Sequence, residues 1–152
     1  MKKKYYYLIG VLVLICIVTI LFLKFKSTKK VYLSEKYYNN GEFIDIASSE
    51  IDALKDDTYV LYIYNNYCSF SVPCESIFNE YMTTYNIDFV SMKFEEFKLT
   101  KYYKKIKYAP SIIIIDKGKI VSYLNPEKDQ DISKYQVIED FTSWMNKYIY
   151  EK

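Results

Sequence analysis

Two of the three cysteines in this 152-residue chain stand close together in the sequence. Cys68 and Cys74 are separated by five residues, whereas Cys16 lies in an apolar run near the start of the chain. Apolar residues at helical spacing follow Cys74 directly, at positions 77, 78, 81, 82 and 85, so this cysteine is expected in the first turn of a helix, where a thiolate is favoured. The pair is suited to thiol–disulfide exchange, and equally to a static disulfide that pins a loop, provided that the two Cα atoms come within about 4.4–6.8 Å.

The composition excludes several other kinds of chemistry. The chain has no His, so a catalytic triad that needs imidazole is excluded, and two cysteines supply too few ligands for a zinc site. All 21 basic residues are Lys, which lacks the bidentate fork that Arg presents to phosphates and bases. The three Gly, at positions 10, 41 and 118, form no Gly-rich phosphate loop. We therefore expect no metal, no cofactor and no nucleotide.

One apolar segment near the N-terminus is long enough to cross a bilayer. Residues 5–23 are all uncharged, and a helix of about 20 such residues spans the hydrocarbon core. Three Tyr open the run, where an interfacial aromatic belt would lie, and no small residues follow it as a cleavage site would require. The sequence predicts one uncleaved transmembrane helix within an anchor of residues 1–26, with Cys16 packed in lipid.

Charge is distributed unevenly along the chain. The first 30 residues carry seven Lys and no acid, whereas residues 31–152 carry 14 Lys and 19 acids, a net charge of −5. A short basic N-terminus before one apolar run is typical of a signal anchor, although four Lys follow the run as well. We therefore expect a single-pass membrane protein with its N-terminus inside and its domain extracytoplasmic. An acidic domain is a poor partner for nucleic acid.

A linker and lead-in segment over residues 27–41 precedes a domain over 42–152 with an α/β pattern. Continuous apolar runs predict buried central strands, and Asp116, Lys117 and Gly118 predict a tight hairpin with Gly at positive φ. The predicted elements are a strand over 43–46, a short helix capped by Ser48 or Ser49 and ending at Leu54, a strand over 59–64, the helix after Cys74, a strand over 87–92, a helix from Thr100 to Ile106, strands over 111–115 and 119–124, and a terminal amphipathic helix over 137–149.

The order of these elements, the cysteine after the strand at 59–64 and Pro110 directly before the strand at 111–115 resemble the thioredoxin superfamily over residues 42–150. The resemblance implies a thioredoxin-like three-layer sandwich with a mixed central sheet. It also implies that Cys68 is the attacking thiol, that Cys74 is the resolving thiol, and that a cis Ala109–Pro110 bond faces them. Ala109 and Pro110, with Tyr67 beside the attacking cysteine, would then contact an extended polypeptide substrate.

Two features depart from the family pattern. The family's C-x-x-C is here C-x5-C, and the chain also offers Ser71-Val-Pro-Cys74, an alignment in which Ser71 replaces the attacking cysteine. An inserted loop would reconcile the two alignments. Tyr62 stands six residues before Cys68, where many thioredoxins have a buried carboxylate.

The resemblance implies a thiol–disulfide oxidoreductase or isomerase that acts on polypeptide disulfides outside the membrane. The alternative is a catalytically inactive thioredoxin-like adaptor, which would bind an exported or membrane partner and hold Cys68–Cys74 as a structural disulfide. The variant spacing and Tyr62 favour the adaptor. The two cysteines near the family positions favour the enzyme.

Overall fold

The computed structural model describes residues 13–14, 30–65, 70–71 and 73–152. Alternating strands and helices occupy the predicted regions of the domain, as the α/β interpretation requires. The strands are β1 (Phe43–Asp45), β2 (Thr58–Tyr64), β3 (Phe89–Lys93), β4 (Ser111–Asp116) and β5 (Lys119–Tyr123), the α-helices are α1 (Cys74–Tyr85), α2 (Phe94–Phe97), α3 (Asp129–Ile132) and α4 (Ile138–Met145), and short 3₁₀ helices cover Glu35–Tyr37, Ser48–Leu54, Lys101–Lys104 and Ser133–Tyr135.

The five strands form one mixed sheet in the order β1-β3-β2-β4-β5. β1, β3 and β2 are parallel, β4 runs antiparallel to β2, and β5 runs antiparallel to β4. Residues 58–63 of β2 and 111–115 of β4 are buried, because these central strands have both faces covered. At the β4–β5 hairpin Gly118 has a φ of 73°, which confirms the prediction for this turn.

Helical elements cover both faces of the sheet. On one face, the ring of Phe78 in α1 lies 5.2 Å from that of Tyr62 in β2 and 5.0 Å from that of Phe141 in α4. On the other face, Tyr59 of β2 lies beside Tyr102 of a 3₁₀ helix. Since side chains alternate along a strand, Tyr59 and Tyr62 point to opposite faces. The arrangement is the mixed α/β sandwich that the sequence predicts.

The start of the helix that ends at Leu54 differs from the prediction. This 3₁₀ helix begins at Ser48, with Ala47 as its N-cap, so neither Ser48 nor Ser49 is the capping residue. The carboxylate of Glu50 accepts the N–H of Ala47 at 2.8 Å. A side chain inside the helix therefore satisfies the N–H of the N-cap residue.

Two further elements are shorter than predicted. β3 begins at Phe89, and Ile87 makes only an isolated antiparallel bridge with Tyr38. The helix predicted from Thr100 to Ile106 is a 3₁₀ helix over Lys101–Lys104. Backbone hydrogen bonds with the lead-in segment occupy the start of the β3 region, since the N–H of Asp88 donates to the carbonyl of Tyr37.

The terminal helix ends at Met145, four residues earlier than predicted. Ile149 forms a parallel bridge with Val31 of the lead-in segment. The N–H of Val31 donates to the carbonyl of Tyr148 at 2.8 Å, and the N–H of Tyr150 donates to the carbonyl of Val31 at 3.0 Å. Pairing with a distant segment thus replaces the last predicted helical turn.

The predicted anchor, residues 1–26, lies outside the described residues except for positions 13–14. None of the helices in the described ranges combines the length and the apolarity needed to cross a bilayer. The lead-in segment is described from residue 30, and its Val31, Leu33 and Tyr37 are buried in the core of the domain.

Candidate functional site

The end of β2 and the start of β4 lie side by side, because Ile63 pairs with Ser111 across the sheet. After β2 the chain resumes as α1 at Cys74. This cysteine is therefore the first residue of a 12-residue helix, as predicted, and its side chain is fully buried. Pro73 occupies the N-cap position and supplies no side-chain hydrogen bond. The positive end of the helix dipole is thus directed at the region of the thiol without a competing capping group.

The turn before β4 contains the second predicted part of the site. The Ala109–Pro110 peptide bond is cis, which confirms the expectation from the resemblance. Pro110 is buried and Ala109 is half-buried. The buried Ser111 begins β4, and its hydroxyl donates to the carbonyl of Tyr108 at 2.7 Å. This bond ties the turn to the first residue of a central strand.

A buried tyrosine connects this turn with the start of α1. The hydroxyl of Tyr135 donates to the carbonyl of Pro110 at 3.3 Å, and its ring contacts Phe78 and stacks on Phe70 at 5.3 Å between centroids. Burial raises the pKa of Tyr135 well above its usual range, and the neighbouring Cys74 adds to this because a phenolate and a thiolate would repel each other. The hydroxyl therefore stays protonated and donates at neutral pH.

No sequence signal marks Tyr135 as a site residue. It lies between β5 and α4 in a connection built from α3 and a 3₁₀ helix, where apolar residues show no clear period. The buried Asp131 holds this connection in place: its carboxylate accepts the N–H of Asn125 at 3.1 Å and pairs with Lys134 at 3.0 Å. An aromatic residue in a polar connection is common at protein surfaces and does not by itself indicate a site.

A groove of about 390 Å³ lies beside the cis-proline turn. Its volume lies near the lower end of the range for ligand-binding clefts, about 300–1,000 Å³. One edge carries Glu127, which raises the pKa of Tyr108 by accepting a hydrogen bond from its hydroxyl. The groove is lined by Asn65, Phe70, Phe94, Lys107, Tyr108, Ala109, Pro110, Pro126 and Glu127.

Tyr62 lies in β2, six residues before Cys68 in the sequence. Its side chain is buried, and its hydroxyl donates to the carboxylate of Glu75 at 3.2 Å. Glu75 follows Cys74 in the first turn of α1 and is exposed. The start of α1 therefore has a carboxylate nearby, but on the solvent side of the helix.

Three observations together decide the fold. The sheet has the order β1-β3-β2-β4-β5 with β4 and β5 antiparallel to their neighbours, a cysteine begins the helix after β2, and a cis proline directly precedes β4. This is a thioredoxin fold.

Solved thioredoxins are similar to this chain over most of their own length. A thioredoxin from Schistosoma mansoni covers 73% of this chain and 99% of its own, at 19% identity and a TM-score of 0.49. A mutant thioredoxin from Halobacterium salinarum covers 68% of this chain and 94% of its own, at 14% identity and a TM-score of 0.47. A mutant thioredoxin from Entamoeba histolytica covers 62% of this chain and 96% of its own, at 18% identity and a TM-score of 0.46. No protein-family model matches the chain, and no curated protein matches it. These likenesses assign no activity or substrate to the chain.

Within this thioredoxin fold, three of the five predicted site residues are described. Cys74 and the carbonyl of Pro110 both lie near the hydroxyl of Tyr135. The other two, Tyr67 and Cys68, lie outside the described residues. Among the residues that the structure does describe, no group of three or more His, Cys, Asp or Glu could hold a metal ion.

Proposed function

We propose that the chain is a membrane-anchored, extracytoplasmic thiol–disulfide oxidoreductase or isomerase that acts on polypeptide disulfides. The position of Cys74 carries the proposal: it begins α1, it is buried, and Tyr135 joins its surroundings to the cis Ala109–Pro110 turn. A helix start stabilises a thiolate, which Cys74 needs in order to attack the mixed disulfide as the resolving thiol.

In the proposed exchange, the thiolate of Cys68 attacks one sulfur of a substrate disulfide. A mixed disulfide forms, and the other substrate sulfur leaves as a thiolate and takes up a proton. The thiolate of Cys74 then attacks the sulfur of Cys68, forms the Cys68–Cys74 disulfide and releases the second substrate thiol. The substrate gains two electrons and the cysteine pair loses two. The reverse sequence oxidises the substrate. If another thiolate of the substrate attacks the mixed disulfide instead, the disulfides of the substrate are rearranged without net electron transfer.

The groove beside the turn would hold the substrate near these sulfurs. Ala109 would pair through its backbone with an extended substrate segment, as an added strand pairs with an exposed edge, while Pro110 shapes the floor. Tyr67 would contact the substrate next to the attacking cysteine. The aromatic walls formed by Phe70 and Phe94 suit apolar substrate side chains.

A second candidate function is a catalytically inactive adaptor that uses the same groove to bind an exported or membrane partner. The observation that favours it is the environment of Tyr62, whose hydroxyl contacts an exposed Glu75 where a proton-transferring buried carboxylate would help exchange. In this case Cys68 and Cys74 would form a structural disulfide.

A trapping experiment distinguishes these functions. All variants are made in the Cys16→Ser background, which removes the only other cysteine of the chain. Each is mixed with a polypeptide disulfide substrate and separated on a non-reducing gel. If Cys68 attacks, Cys74→Ser accumulates a mixed disulfide through Cys68, because the resolving thiol is missing, and Cys68→Ser forms none.

The other outcomes are equally informative. Trapping only through Cys74 would reverse the roles and support the alignment in which Ser71 replaces the attacking cysteine. No trapping with either variant, together with a lower melting temperature, would support the adaptor with a structural disulfide. The entropic part of that loss stays below the roughly 3 kcal/mol expected for a 15-residue loop, because only five residues intervene.

Two truncations test the anchor. Deletion of residues 1–26 keeps all of the packed lead-in segment, so the fragment should fold and lose its membrane association. Deletion of residues 1–41 also removes Val31, Leu33 and Tyr37, which are buried in the core, and should prevent folding. Membrane association of the first fragment after carbonate extraction would contradict the anchor.

A further inference from the structure

One lysine lines the groove beside the cis-proline turn, and two others lie close to residues that border it. Lys107 lines the groove, and its Nζ lies 3.8 Å from the centroid of the Tyr103 ring. Lys105 and Lys128 both approach the ring of Tyr123, at 5.5 and 5.7 Å. Tyr123 ends β5 close to Tyr108, which lines the groove, and Lys128 directly follows the lining residue Glu127. We call these three exposed residues the lysine rim.

None of the three lysines of the rim is ion-paired with a carboxylate in the part of the chain that the structure describes. The residues outside that part contain no Asp or Glu. Glu127 is the one acid that lines the groove, and its carboxylate accepts the hydroxyl of Tyr108. The groove therefore has a locally positive edge on a domain that is acidic as a whole.

We propose that the groove selects extended polypeptide segments that carry carboxylates, an inference that rests on the proposed function and names its substrate class. Charge complementarity supports this occupant: Lys107 stands at the groove itself, two residues before the Ala109 backbone that would pair with the segment. Since successive side chains of an extended segment point in opposite directions, one carboxylate can meet Lys107 while the adjacent apolar side chain enters the space between Phe70 and Phe94.

The shape of the site favours a polypeptide over an anionic membrane surface. The lysines flank a concave groove with aromatic walls, whereas a bilayer presents a flat face that would leave such a groove empty.

Screening by salt limits charge–charge interactions to near neighbours, because the Debye length is about 8 Å at physiological ionic strength. The acidic remainder of the domain therefore does not cancel attraction at the rim.

Binding of labelled peptides tests this inference without requiring turnover. Two fluorescein-labelled extended peptides are compared by anisotropy with the full chain: one has a central Phe flanked by Asp residues, and the other has Asn in place of each Asp. We expect the Asp peptide to bind about tenfold more tightly at physiological ionic strength, from two to three exposed charge pairs of up to about fivefold each. The preference should shrink steadily as the salt concentration rises.

Matched variants locate the effect. The triple variant Lys105→Gln, Lys107→Gln and Lys128→Gln should bind both peptides equally. A control triple variant, Lys55→Gln, Lys119→Gln and Lys147→Gln, loses the same charge at exposed positions away from the groove and should keep the preference. Far-UV circular dichroism and melting temperatures should agree between the two variants.

Other results overturn the inference. Equal binding of the two wild-type peptides, no binding of either, or an equal loss in both triple variants would each contradict it. Binding of phosphatidylserine vesicles that depends on the lysine rim, without peptide selectivity, would assign the rim to lipid. The two experiments can fail independently. If the Asp peptide is preferred but no mixed disulfide is trapped, the proposed function is wrong and the binding preference stands.

Discussion

At the end of the sheet where β2 and β3 begin, side-chain oxygens accept hydrogen bonds from the backbone of neighbouring segments. At the cysteine end, aromatic rings pack around one hydroxyl. At the first end, the carboxylate of Asp88 accepts the N–H groups of Gly41 and Glu42, both at 2.9 Å. The hydroxyl of Ser34 accepts the N–H of Thr58 at 2.9 Å. These bonds fasten the lead-in segment and β1 to the start of the parallel strands.

At the cysteine end, one hydroxyl and several rings take this role. Tyr135 bonds to Pro110 and packs between Phe70 and Phe78, beside Cys74. A directional bond to a single atom is lost completely when that atom is removed, whereas packing energy is spread over many contacts. The polar end should therefore be the more sensitive to a single polar deletion, and the aromatic end should tolerate loss of a hydroxyl while its thiol changes reactivity.

Alkaline pH should cause the largest loss of stability, and buried tyrosines at both ends of the sheet contribute to it. Burial raises the pKa of Tyr59, Tyr81 and Tyr135, so in the folded state these groups keep their protons above pH 10 while the unfolded chain ionises. Stability is thus fully present below pH 10 and is lost as the pH rises, by about 1.4 kcal/mol per group, or about 4 kcal/mol together, at pH 11. Urea unfolding at pH 9, 10 and 11 measures this slope.

Tyr135→Phe serves as the matched variant for that slope. It should reduce the alkaline loss by one group, because it removes one titrating hydroxyl. Spectrophotometric ionisation of all 19 tyrosines near pH 10 in the folded protein would contradict the prediction.

Asp88→Ala should give the next largest effect. Asp88 is only 3% exposed, and its loss leaves two backbone N–H groups without their acceptor. We expect about 3 kcal/mol of lost stability by urea unfolding at pH 7. The control is Asp56→Ala, at an exposed acid, which should change stability by less than about 0.5 kcal/mol. A loss below about 1 kcal/mol for Asp88→Ala would show that the polar end does not depend on these bonds.

Tyr135→Phe at neutral pH should have the smallest effect on stability, about 1 kcal/mol, since the rings remain stacked and one hydrogen bond is lost. The alkylation rate of Cys74 by iodoacetamide, measured in a Cys16→Ser, Cys68→Ser background, should rise several-fold as the Pro110 turn loosens. Tyr148→Phe, which removes a hydroxyl at the other end, is the control. An unchanged rate in Tyr135→Phe would separate Tyr135 from the thiol's environment.

Much of the fold could be read from local patterns. The runs at 59–64 and 111–115 indicate central strands because they contain no charged residue and are apolar or aromatic on both faces, and the turn at Gly118 is set by the φ that glycine tolerates. Element ends were less predictable: Met145 ends the last helix because Ile149 pairs with a segment more than 100 residues away.

The sequence by itself determined the α/β order, the place of Cys74 at a helix start and, through family resemblance, the cis bond at Pro110. Only the tertiary structure decided that Tyr135 joins these two parts and that Asp88 fastens the opposite end. The physical reason is the separation along the chain of the residues that interact. Strand burial and helix periodicity depend on neighbours a few residues apart, whereas a hydroxyl or a carboxylate finds its partner according to how the sheet brings distant loops together.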